Sequence, residues 1–68
     1  MSKFYLRIKE LRSEKKISQK QLAIAINCGQ STICDWEKGK IEPSADALIA
    51  VANYFDVSID YIVGRKDY

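Results

Sequence analysis

Gln30, Ser31, Thr32 and Asp35 bring an amide, two hydroxyls and a carboxylate together within six residues. Such groups suit the recognition of hydrogen-bonding edges. A glutamine amide donates and accepts at once and matches the N6/N7 edge of adenine, while a carboxylate accepts from cytosine N4. For each residue the plain alternative is a solvated helix face, and for Asp35 an ion pair with Lys38 three residues on. Catalysis fits poorly. The chain has no His, no nucleophile–base pair and no glycine loop able to cradle a phosphate, so no enzyme is expected. Cys28 and Cys34 would lie about 240° apart on a continuous helix. With four zinc ligands nowhere assembled, two reduced and mostly buried thiols are expected, with neither metal nor cofactor.

The charges are unevenly spread. The chain of 68 residues carries a net charge of +2, yet residues 1–40 hold nine Lys/Arg against four Asp/Glu. Residues 41–68 reverse the balance, with two against five. A basic first half suits a polyanion, and a solvated charged face would look the same. No apolar run approaches the roughly 18 residues of a membrane span. The start, Met1 to Arg7, has no apolar core or cleavage site for export. A cytoplasmic protein away from membranes is therefore expected.

The elements that must hold the polar cluster are all helical. Phe4, Ile8 and Leu11 are spaced as a buried stripe and predict a helix over 3–15. Ser18 and Gln21 form a capping box ahead of Leu22, Ala23 and Ile26, with the helix ending near Asn27. A third helix, Gln30 to Lys38, follows Gly29 and stops at Gly39. Only Asn27, Cys28 and Gly29 separate the two, which is the short link of a helix-turn-helix. Ala23 is small where the pair should cross most closely. Leu22, Ile26, Cys28, Ile33 and Trp36 are placed to share one core, so the polar cluster faces outward. Trp36 is then core, and its indole N–H needs a partner. Ser44 caps a fourth helix with Leu48, Ile49, Ala52 and Phe55 facing in. Ser58 caps a short fifth, Ile59 to Val63, closed by Gly64. The chain reads as one all-α domain over 1–68 with a frayed tail at 65–68.

Three stretches, LRSEKKISQKQLA, GQSTICDWEKGKIEPS and LIAVANYFDVSIDYIVG, together resemble the phage-repressor type of helix-turn-helix, the Cro or XRE family. The resemblance covers nearly the whole chain. It implies a compact five-helix, lambda-repressor-like domain with the helix-turn-helix at helices 2 and 3. It also implies roles. Gln30, Ser31 and Asp35 match base-reading positions. Gln19 matches a phosphate-touching position, and Lys38 and Lys40 a backbone-contacting loop. Thr32 is expected on a phosphate or a thymine methyl. Arg12 and Glu37 match a buried ion pair between helices 1 and 3. The chain departs from the family at Asn27, where glycine is usual, and at Cys28, where valine or a similar residue is common.

Together these features point to a transcriptional regulator, a repressor by expectation, on double-stranded DNA. A single such helix reads few base pairs, so a homodimer on a palindromic operator is expected. Tyr54, Val57, Ile59 and Tyr61 are the candidate interface, unless they cover the underside of the core. An antitoxin or anti-repressor, holding a protein partner on the same scaffold, is the alternative.

Overall fold

Serines decide where three of the helices begin. In a computed structural model, which describes residues 3–67, the helices are α1 (Phe4–Lys15), α2 (Gln19–Ala25), α3 (Gln30–Glu37), α4 (Ala45–Phe55) and α5 (Ile59–Ile62). Before α2, the Ser18 hydroxyl accepts from the Gln21 N–H at 3.0 Å, and the Ser18 N–H donates to Gln21 Oε1 at 2.7 Å. Ser44 and Ser58 accept from the N–H groups of Ala47 and Tyr61 in the same way. Each bond satisfies a donor that the first turn of a helix leaves without a partner. Gly29 caps α3 with no side-chain bond. Helix ends follow equally local rules. Lys16 and Asp56 turn left-handed after α1 and α4, and Gly39 and Gly64 have positive φ after α3 and α5.

Every helix gives at least one side chain to a single core. Phe4 and Ile8 of α1 meet Leu22 and Ala23 of α2, Ile33 and Trp36 of α3, Val51 of α4 and Ile62 of α5. The Phe4 ring stands edge-on to Trp36, with centroids 5.4 Å apart. That arrangement sets a positive ring edge against a negative face. Trp36 is core, as its place in the apolar pattern requires. Among the described residues no buried side-chain nitrogen or oxygen lacks a hydrogen-bond partner. The two ends of the domain are laced together by the Lys3 N–H, which donates to the Val63 carbonyl at 3.0 Å.

Three expectations are corrected in detail. Ile49 does not face in: it is 47% exposed, and Val51 takes the buried place instead. Leu48, Val51, Ala52 and Phe55 lie on the face that meets the core, and Ile49 falls about 100° from Leu48 around the helix. Cys28 and Cys34 are free but only half-buried. The link between α2 and α3 is residues 26–29, one residue longer, because Ile26 already leaves helical geometry. Of the tail, the Arg65 and Lys66 N–H groups donate to the Asp60 carbonyl at 2.8 and 3.2 Å. Tyr68 lies outside the described residues.

Candidate nucleic-acid interface

The α3 helix is anchored along one face and open along the other. Ile33, Trp36 and Glu37, spaced three and four apart, are buried, while Gln30 and Ser31 are exposed at its start. Thr32 and Asp35 are half-buried at the edge between the two faces. Asp35 makes no ion pair with Lys38 among the described residues. With eight residues, α3 is about 12 Å long, short enough to lie within a DNA major groove.

Two devices fix the angle between α2 and α3, one at each end. At the turn, Asn27 takes φ 60°, the left-handed conformation that asparagine tolerates better than most residues. The Cys28 N–H then returns to the Ala23 carbonyl at 2.9 Å. Ala23 is 3% exposed and sits in the core that α2 and α3 share. Burial pushes the Cys28 thiol up from its ordinary value, so it stays neutral as a small apolar filler. Thr32 and Cys28 also line an open groove of about 460 Å³ between this turn and the start of α4, with Trp36, Ser44 and Asp46.

At the opposite end Glu37 gathers three segments. Arg12 Nε donates to Glu37 Oε2 at 2.7 Å and Arg12 Nη2 to Oε1 at 3.0 Å. The remaining Arg12 nitrogen, Nη1, donates to the Ile17 carbonyl at 2.9 Å. Gln19 Nε2, at the start of α2, donates to Glu37 Oε1 at 3.1 Å. Burial pushes the Glu37 carboxyl up, but the hydrogen bonds from Arg12 and Gln19 and the positive charges of Arg12 and Lys9 outweigh it. The group is held below the usual carboxylate range and stays ionised. The Gln19 bond had no signal in the sequence, since it joins residues 18 apart whose meeting depends on how α2 crosses α3.

The remaining candidates lie around these helices. Lys38 and Lys40 are exposed in the turn after α3, where Gly39 has φ 73° and the Lys40 N–H donates to the Asp35 carbonyl. At the end of α4, Tyr54 meets Phe55 edge-on at 5.0 Å, with Lys15 Nζ 5.0 Å over its ring. Tyr61 lies under the Arg7 guanidinium at 4.3 Å. Both tyrosines thus have partners within the chain. Val57 is half-buried against the core, whereas Ile59 is 42% exposed.

An anchored helix with a polar outer face, held at a fixed angle to a short helix before it, defines the helix-turn-helix class. The helix-turn-helix family pattern matches residues 8–62. The chain belongs to that family, in its Cro/XRE form, which is one of transcriptional regulators and not of enzymes. It is 31% identical over 61 residues to the transcriptional regulator ImmR of Bacillus subtilis, covering 90% of this chain and 48% of that protein. It is 38% identical over 60 residues to the immunity repressor of Bacillus phage phi105, covering 88% of this chain and 42% of that one. The chain spans about half the length of the curated relatives it matches. Among solved structures, the P22 c2 repressor in complex with a synthetic operator matches with TM-score 0.87 and 27% identity, over 93% of this chain and 96% of that one. The five-helix, all-α architecture is therefore that of the phage-repressor DNA-binding domains. No helix among the described residues is long and apolar enough to cross a membrane.

Proposed function

We propose that this domain binds double-stranded DNA by laying α3 in the major groove, and that it acts as a repressor by occupying a palindromic operator as a homodimer. The observation that carries the reading is the exposed polar start of α3 on a helix whose opposite face is locked into the core. In this reading Gln30, Ser31 and Asp35 read base edges, Gln30 by a bidentate pair with adenine. Gln19, Thr32, Lys38 and Lys40 hold phosphates and set the register. The likeness to a repressor solved on its operator, and to a phage immunity repressor, supports the assignment.

Selection of bound duplexes from a randomised pool, at near-physiological salt, tests it. An enriched palindrome is the expected result and supplies the operator. A pool that stays random, with protein shown to be folded, overturns the reading and favours a protein partner on the acidic second half.

A further inference from the structure

The hydrogen bond between Gln19 and Glu37 bears on how the domain meets a phosphate. A glutamine amide has a donor end and an acceptor end of almost the same shape, and a solvated side chain presents either one. Only the donor end suits a phosphate, because the carbonyl oxygen and the phosphate oxygens repel. An ionised carboxylate accepts and never donates. Glu37, held ionised by Arg12 and 8% exposed, can therefore be met only by Nε2 of Gln19. The second hydrogen on that nitrogen points away from Glu37, on a side chain that is half-exposed. The two bonds from Arg12 balance the Glu37 charge, so the carboxylate itself does not repel the phosphate.

We propose that Glu37 is a positioning residue for DNA binding: it selects the flip of the Gln19 amide and holds the second Nε2 hydrogen ready for one backbone phosphate. This rests on the phosphate reading of Gln19 and adds the cause of its orientation. Arg12 acts one step further back, by keeping Glu37 ionised and in place. The ion pair that ties α1 to α3 thus also sets a contact of α2.

The test uses the selected duplex with single phosphates replaced in turn by neutral methylphosphonates. Three variants are compared with the parent protein: Gln19→Ala, the pair replacement Arg12→Met with Glu37→Met, and all three changes together. Replacing both members of a buried ion pair by apolar residues of similar size commonly preserves folding. For the parent, one phosphate in each half-site is expected to lose about tenfold on substitution, the usual scale of a hydrogen bond to a charged group. Gln19→Ala should lose about the same on the native duplex and become blind to that phosphate, whereas the pair replacement, whose Gln19 amide must be ordered on binding, should lose a smaller part and keep a reduced sensitivity. The triple variant should bind no worse than Gln19→Ala. Should Gln19→Ala keep the full sensitivity, Gln19 is not the contact and its phosphate reading falls. Should Gln19→Ala be blind while the pair replacement keeps the parent's full sensitivity, the contact stands and the positioning role is overturned. A second measurement needs neither DNA nor a variant. The Gln19 side-chain amide of the free protein should show a nitrogen-15 order parameter near the roughly 0.85 of rigid backbone, and a value under about 0.6 overturns the proposal.

Discussion

Glu37 is at once buried and ionised, a combination that is stable only while Arg12 faces it. Burial raises the carboxyl, and the bonds from Arg12 and Gln19, with the charges of Arg12 and Lys9, bring it below its ordinary value. A depressed folded-state value contributes stability at pH above the unfolded-state value. That contribution is lost as pH falls through the folded one. The loss should begin below pH of about 4.3. It should be absent from the pair replacement Arg12→Met with Glu37→Met, so the parent loses urea-derived stability relative to the pair replacement as pH falls. Arg12→Met alone leaves the carboxylate buried without its cation and should cost about 3–5 kcal/mol at pH 7, most of it recovered by adding Glu37→Met. A single-variant loss under about 1 kcal/mol would mean that the pair is solvated. Gln30, by contrast, is exposed at the first position of α3. Gln30→Ala should leave stability unchanged and weaken the selected site by about 1–3 kcal/mol, with binding to random duplex nearly intact. Equal loss on both duplexes in a fluorescence titration would remove Gln30 from base reading.

Among the elements, the α2–α3 turn is set by a single conformation. Asn27 has φ 60°, and a β-branched side chain there meets the backbone directly. Asn27→Val should cost about 1–2 kcal/mol by thermal or urea unfolding, whereas Asn27→Gly should stay within about 1 kcal/mol of the parent. If valine is tolerated as well as glycine, the turn has another geometry in solution. This turn was legible in the sequence because asparagine ahead of a glycine and a polar helix start is a local signal. The starts of α2, α4 and α5 were legible for the same reason: Ser18, Ser44 and Ser58 act on donors three residues away. The inner face of α4 was not. Ala47, Leu48, Ile49, Ala50, Val51 and Ala52 are all apolar, a band too broad for periodicity to choose between Ile49 and Val51. Only packing against the other helices decides it. The ends of α3 show the same limit, since Arg12 and Glu37 are 25 residues apart and no local rule pairs them. The resemblance to a family pointed to that pair, but nothing in the sequence pointed to Gln19 as its third member.

At the scale of the whole molecule, size sets what one copy can do. The Cα envelope measures 27 × 23 × 20 Å, shorter in every direction than the roughly 34 Å of one turn of DNA. On the proposed palindrome one copy would cover one half-site, and two copies would sit on the same face of the duplex. Their contact must leave α3 free, which excludes the basic first half near Lys38 and Lys40. In the second half Tyr54 and Tyr61 are engaged within the chain by Lys15 and Arg7, which leaves Ile59 as the candidate with substantial apolar surface to offer. Being 42% exposed at the first position of α5, it should accept a charge at less than about 0.5 kcal/mol of stability. Two copies of Ile59→Asp would then set like charges against each other across a two-fold contact. The variant should bind a single half-site as the parent does, yet lose cooperative filling of the two-half-site duplex in a gel-shift titration. Undiminished cooperativity, with stability unchanged, would place the contact elsewhere on the acidic half. Non-cooperative filling by the parent itself would mean that two copies of this domain do not touch on DNA.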